Sequence, residues 1–127
     1  MKYFDMFNNR DEVAQAFEEG TWEPGTRYSQ NPVFTAKPFF PADEDILFAE
    51  YTSECYDGHA IVVFQQDGHL FEVNGSHCSC YGLEGQWEPE RTSREALAMR
   101  VGEYNGPSTS EGRALWKTLF GEPPLKK

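Results

Sequence analysis

Between Pro38 and Glu90 the chain has neither lysine nor arginine. That stretch carries eleven acidic side chains, while the remainder holds all eleven basic residues against ten acidic ones, so the formal charge of -10 originates in the middle of the sequence. A segment of one sign is repelled by phosphate backbones and by anionic headgroups. This excludes direct binding to nucleic acid or membrane and leaves a basic protein surface as the natural complement. Long apolar runs are missing too, since none approaches the ~18 residues of a membrane-spanning helix. The opening Met1-Lys2-Tyr3-Phe4-Asp5-Met6-Phe7 lacks the apolar segment and small-residue cleavage site of a signal peptide, so the expected compartment is the cytoplasm.

Cysteine is scarce and odd in number. Cys55, Cys78 and Cys80 cannot all pair within one chain, and a reducing compartment disfavours pairing, so they are expected to be thiols or ligands. Also absent are a Gly-rich phosphate loop, a Gly-x-Ser-x-Gly elbow, a His-Glu-x-x-His helix and the Asp-x-Asp-x-Asp-Gly calcium loop. No enzyme signature remains, and the expectation is a protein without catalytic activity. What is abundant is aromatic: ten Phe, six Tyr and three Trp in 127 residues. A chain of this length fits one domain that removes roughly two thirds of its unfolded surface from water. The acidity therefore sits on a folded body.

Asn9 with Glu12 forms a helix N-terminal signature, with Val13 and Phe17 on one face and Gly20 as a left-handed stop, which predicts a helix over 10–19. Pro24, Pro32, Pro38 and Pro41 make 21–41 an extended arm whose Trp22, Tyr28, Phe34, Phe39 and Phe40 need somewhere to pack. Strand-like segments follow at 46–52, 60–66 and 69–73, with Asp67-Gly68 as a type I′ turn and Asn74-Gly75 as a further turn. The run Ala60-Ile61-Val62-Val63-Phe64 is apolar on both faces and belongs at the sheet centre. Thr92 with Glu95 starts a helix over 93–104 bearing Leu97, Val101 and Tyr104. Ser108 with Glu111 caps a last one whose apolar face is Leu115, Trp116, Leu119 and Phe120, ended by Gly121 and Pro123-Pro124. The expected fold class is α+β: an antiparallel β-meander of three or more strands, packed by two C-terminal helices and a short N-terminal helix.

Three chemistries compete for the middle of the chain. His77, Cys78 and Cys80, joined by Cys55 or His59, supply enough ligands for zinc, but the spacing is Cys-x-Cys, which does not point both sulfurs at one ion as Cys-x-x-Cys does. A thiol hydrolase would use Cys78 or Cys80, with His77, His59 or His69 as base and Asp57 as orienter. Its thiolate would form in a stretch without a permanent cation, where nothing lowers the thiol pKa. The third chemistry is recognition. Carboxylates at Asp43, Glu44, Asp45, Glu50, Glu54, Asp57, Glu84 and Glu88, with Tyr56, Tyr81 and Trp87 as anchors, suit an acidic face that meets a basic partner.

The run from Asn74 to Glu90, Asn-Gly-Ser-His-Cys-Ser-Cys-Tyr-Gly-Leu-Glu-Gly-Gln-Trp-Glu-Pro-Glu, is followed by a Thr-led helix. Here the chain resembles small acidic proteins encoded by tailed bacteriophages and prophages, over about residues 46 to 100. The resemblance implies a viral origin and a place in the host cytoplasm; it carries no catalytic or binding residues. At the level of class it points to inhibitors of host nucleic-acid machinery, such as DNA mimics and anti-CRISPR proteins, whose carboxylates occupy Lys- and Arg-lined grooves. The leading expectation is thus a stoichiometric binding protein that blocks a basic site on a host nucleic-acid-handling or defence protein. The alternative is a zinc-stabilised interaction module on Cys55, His77, Cys78 and Cys80.

Overall fold

The computed structural model describes residues 2–22, 33–54, 57–78, 82–100 and 106–121, without the side chains of Glu54 and Asp57. Runs rich in β-branched and aromatic residues between 46 and 77 fold into three long strands, β4 (Ile46–Glu54), β5 (Asp57–Gln66) and β6 (His69–His77). Asp67 and Gly68 both take positive φ, 55° and 78°, as the expected type I′ turn between β5 and β6 requires. Two short strands, β1 (Tyr3–Asp5) and β7 (Glu90–Thr92), complete one sheet in the order β1-β4-β5-β6-β7. β1 runs parallel to β4 and every other neighbouring pair is antiparallel. The strand with apolar residues on both faces, β5, is central. A separate two-stranded ribbon pairs β2 (Gly20–Trp22) with β3 (Phe34–Ala36). The architecture is α+β.

Each face of the sheet carries its own core. On one, Ala49, Ala60, Val62, Phe64 and Val73 pack with Phe7, Val13, Ala14, Phe17, Phe40 and Leu83, so that helix α1 (Arg10–Ala16) and the segment entering β7 cover it. On the other, Phe48, Ile61 and Val63 pack with Phe4, Leu97, Trp116 and Phe120, under helices α2 (Arg94–Ala98) and α3 (Ser110–Phe120). The Trp116 indole N–H donates to the Leu97 carbonyl at 2.7 Å and ties α3 to α2.

Two carboxylates fasten this helical layer to the sheet. Glu50, on the same face as Phe48, is 2 % exposed and accepts from the Ser108 and Thr109 backbone N–H groups at 2.7 and 3.0 Å and from the Thr109 hydroxyl at 2.8 Å. The Thr109 hydroxyl in turn accepts from the Gly112 N–H at 2.9 Å, so Glu50 anchors the residue that caps α3. A Cβ at Gly112 would lie 2.7 Å from Glu50 Oε2, which makes glycine necessary there. Glu72 is 4 % exposed and takes a bidentate pair from Arg100 at 2.7 and 3.0 Å plus the Asn74 amide at 2.8 Å. Burial alone would push its carboxyl up, but the hydrogen bonds from Arg100, Thr92 and Asn74 and the Arg100 charge outweigh that and hold it below the ordinary glutamate range.

Several boundaries differ from the sequence expectation for identifiable reasons. The Asn9 side chain caps α1 by accepting from Glu12 N at 2.9 Å, but the helix ends at Ala16, and Glu18 takes the left-handed turn at φ 56°. Gly20 is not the stop. It pairs with Ala36 in β2, where a Cβ would fall 2.4 Å from the Phe34 ring. Asn74 and Gly75 continue β6 instead of turning, because Gly75 is where Leu83 and Phe17 press onto the strand, each 3.1 Å from a would-be Cβ. Ser93, not Thr92, caps α2, since Thr92 is paired with Leu70 in β7, and Thr109, not Ser108, caps α3. α2 stops at Ala98, and Val101 and Tyr104 lie outside the described residues, as does Tyr28. Phe39, expected to pack, is 90 % exposed. Among the described residues no helix is long and apolar enough to cross a membrane.

Replacing Arg100 by Met strands the Glu72 carboxylate in the sheet and is predicted to cost about 3 kcal/mol or more in a urea titration. The Glu72→Met/Arg100→Met double variant is predicted to recover much of that loss. The pH dependence has a definite sign. Because the folded Glu72 carboxyl titrates below the unfolded one, its contribution is complete above the ordinary glutamate range and disappears as pH falls through the lowered folded value. Stability measured in steps of decreasing pH is therefore predicted to decline over that window in the parent protein, and this contribution to the decline is absent from the double variant, so that it appears in the parent-minus-variant difference curve.

Candidate protein-binding groove

Edge strand β1 owes its place to Phe4, whose ring lies 5.2 Å from that of Phe48 in the helix-side core. Its neighbours Tyr3 and Asp5 then fall on the opposite pleat. Ala49 N donates to the Lys2 carbonyl and Met6 N to the Tyr51 carbonyl, so the backbone groups of Lys2, Phe4 and Met6 face β4 and those of Tyr3 and Asp5 face outward. The free edge is short and bears charge, as edges that avoid indiscriminate pairing do.

Two hollows flank this edge and share Tyr3. One, of about 560 Å³, is lined by Lys2, Asp43, Glu44, Leu47, Leu115 and Leu119 among others. The second, of about 420 Å³, is lined by Phe4, Asp5, Phe7, Asn8, Thr109 and Glu111 with Tyr3. Together they follow β1 along α3, from Leu119 near its C-terminus to Glu111 in its first turn. Leucine and phenylalanine carbons form the floor, and exposed carboxylates of Asp43 and Glu44 at one end and Asp5 and Glu111 at the other form the rim. The Asp43-Glu44-Asp45 segment is a single 3-10 turn leading into β4.

The rim is held by hydrogen bonds. The Tyr3 hydroxyl donates to Asp43 Oδ1 at 2.5 Å, and the Lys2 ammonium lies 3.7 Å from the same oxygen while donating to the Asp43 carbonyl. The Tyr3 bond is the main cause that lowers the Asp43 carboxyl, with Lys2 and Arg10 assisting against slight burial. Burial and then Asp43 push the Tyr3 phenol far up, so it stays protonated and keeps donating.

The sequence-derived acidic set is divided by the fold. Asp43 and Glu44 stand on the groove rim, with Asp45 half-exposed beside them. Glu50 is withdrawn from the surface: it is buried and accepts hydrogen bonds from Ser108 and Thr109 at the start of α3, a correction to its placement on a partner-facing surface. Trp87 is likewise part of the fold, with its ring 4.6 Å from Phe40, 5.1 Å from Phe17 and 5.8 Å from Phe64. Glu84 and Glu88 are exposed on the segment that leads to β7, the opposite edge of the sheet. Glu54 and Asp57 pair in the β4–β5 ladder, with side chains outside the described set, as are Tyr56, Tyr81, Cys55 and Cys80 entirely. Sequence reasoning missed Asp5, Glu111 and Tyr3. The signal for them is tertiary, since they reach the groove only through the parallel β1–β4 pairing and the docking of α3.

The histidines are dispersed. His69 is exposed near the β5–β6 turn, and His59 lies in β5 on the helix-facing side, its imidazole lowered by burial against a smaller upward pull from Glu50. His77 lies on the other face, where Nδ1 is 2.8 Å from the Tyr51 hydroxyl and Nε2 is 3.5 Å from Ser53 Oγ. A zinc ion or a Cys78 thiol would have to displace one of these contacts to use His77. Among the described residues no three His, Cys, Asp or Glu side chains stand close enough to hold a metal.

Gly58 makes the His77 arrangement possible, because a Cβ there would meet the His77 ring at 2.1 Å and the Thr52 carbonyl at 2.6 Å. Gly58→Ala is therefore predicted to lower stability by about 1–3 kcal/mol and to move the His77 ring resonances, read by thermal melting and by proton–nitrogen spectra of the imidazole.

No protein family, no curated protein and no solved structure matches this chain.

Proposed function

We propose that this chain is a stoichiometric binding protein whose groove along β1 takes a basic, partly apolar segment of a partner protein. The observation that carries the reading is the pairing of an apolar floor at Leu47, Leu115 and Leu119 with carboxylates that line both of the hollows sharing Tyr3. A partner cation gains long-range attraction from a protein of charge -10, and apolar side chains entering the groove supply short-range affinity. Glu50 and Glu72 take no part, because their charge is consumed inside the fold.

Proteins that handle nucleic acid present such basic surfaces, and blocking one is the activity that the sequence resemblance to phage-encoded proteins suggests. In this reading the chain acts as an inhibitor in the host cytoplasm, in the manner of a DNA mimic or an anti-CRISPR protein. The apolar floor favours contact with partner side chains over imitation of a phosphate ladder alone. Neither a metal nor a catalytic step is required.

The test uses a short fluorescent peptide that alternates arginine with leucine, followed by anisotropy. Binding is predicted to weaken steeply with added salt and to fall by about tenfold or more, about 1.4 kcal/mol, in an Asp43→Lys/Glu111→Lys variant. A Glu88→Lys/Glu90→Lys variant of equal net charge is predicted to lose much less. Equal losses in the two variants would show that net charge, and not the groove, attracts the peptide.

A further inference from the structure

At the C-terminal end of β4, three side chains form a chain of contacts that the binding function does not use. Ser53, Gly58 and His77 occupy one register row across β4, β5 and β6. His77 reaches over the bare backbone of Gly58, a span of roughly 10 Å for two inter-strand spacings, and brings Nε2 to 3.5 Å from Ser53 Oγ. Tyr51, two residues before Ser53 and on the same face, meets Nδ1 at 2.8 Å with its ring perpendicular to the imidazole. The Tyr51 ring itself is fixed against Phe7, with centroids 5.3 Å apart. Ser53 is exposed, whereas Tyr51 and His77 are half-buried, so the hydroxyl is the end of the relay that faces solvent.

From this geometry we infer that Ser53 is a nucleophile toward activated carboxylic esters, with His77 as its general base and Tyr51 as the positioning residue. An exposed hydroxyl, a base within reach of it and a third group orienting the base are the parts such chemistry needs. A contact of 3.5 Å is long for a hydrogen bond, and catalytic contacts often tighten only when substrate is bound. The productive tautomer carries its proton on Nδ1 and donates it to the Tyr51 oxygen, leaving the Nε2 lone pair for Ser53. Burial, with the nearby Glu84 charge, raises the Tyr51 phenol, so Tyr51 remains a neutral partner and supports the imidazolium less than a carboxylate would. The same Glu84 charge favours neutral or cationic acyl groups over anionic ones.

In the first step the Ser53 Oγ–H proton passes to Nε2 as Oγ bonds to the acyl carbon. The ester C–O bond then breaks, and the leaving oxygen takes the proton from Nε2. Water next attacks the acyl-serine, giving its proton to Nε2; the acyl–Oγ bond breaks and Ser53 recovers a proton, so that one acid and one alcohol are released per water consumed. A leaving group as acidic as para-nitrophenol needs little oxyanion stabilisation, which makes such esters the class to test.

The full-length chain is treated with a fluorophosphonate probe and, separately, with para-nitrophenyl acetate under mildly alkaline conditions. Expected are a mass adduct on the peptide containing Ser53, its loss in Ser53→Ala, and labelling slowed about 100-fold in His77→Gln, the low end of general-base effects. Tyr51→Phe keeps the ring on Phe7 and is expected to lower kcat for the ester with KM unchanged, as loss of a positioning contact does and a packing defect does not. If the parent protein gains no adduct on Ser53, or if His77→Gln and Tyr51→Phe label as fast as the parent, the inference is wrong. The parent and Tyr51→Phe measurements decide this even where His77→Gln unfolds. The adduct on Ser53 and the anisotropy of the groove peptide are separate readouts, and Ser53 and His77 line neither hollow, so failure here is distinguishable from failure of the binding reading.

Discussion

The helical layer of this protein depends on two carboxylates buried in one face of its sheet. Glu50 and Glu72 stand on either side of the central strand β5, among Phe48, Ile61 and Val63, where an unpaired charge would be expelled. Each is kept by a different device. Glu50 receives the backbone donors and threonine hydroxyl at the start of α3, and Glu72 receives a guanidinium that follows α2. Apolar packing of Trp116, Leu97 and Phe120 presses the helices onto the sheet without fixing their register, since such contacts lack direction. The carboxylates supply the direction, and they determine where α3 lies relative to β1.

That placement converts an acidic sequence into a surface with a shape. Of the charge in the middle of the chain, part is neutralised internally, part stands on the β1 side and part on the segment entering β7. With α3 set by Glu50, its Leu115, Leu119 and Glu111 complete a groove whose other wall is the edge strand. In the proposed binding role, attraction at a distance is combined with an apolar floor for contact. Asp43, anchored by Tyr3 and Lys2, keeps one rim in place at little cost in exposed charge.

The sequence made the local elements legible and left the non-local ones hidden. Strands β4 to β6, the Asp67-Gly68 turn, the Asn9 cap and the apolar stripe of α3 each follow from residues close together in the chain. β1 and β7 are three residues long, too short for periodicity to announce them. Gly75 reads as a turn because glycine serves both turns and close contacts, and only Leu83 and Phe17, distant in sequence, reveal which applies. The burial of Glu50 had a usable signal: it shares a strand face with Phe48, two residues before it. The pairing of Glu72 with Arg100 and the reach of His77 across Gly58 had none beyond an isolated glycine in a strand.

Amide hydrogen exchange, compared with and without the arginine–leucine peptide, addresses the groove most directly. The account predicts added protection in segments 2–5, 43–47 and 109–119, with 84–92 unchanged. Protection concentrated at 84–92, or spread evenly over every acidic segment, would contradict it.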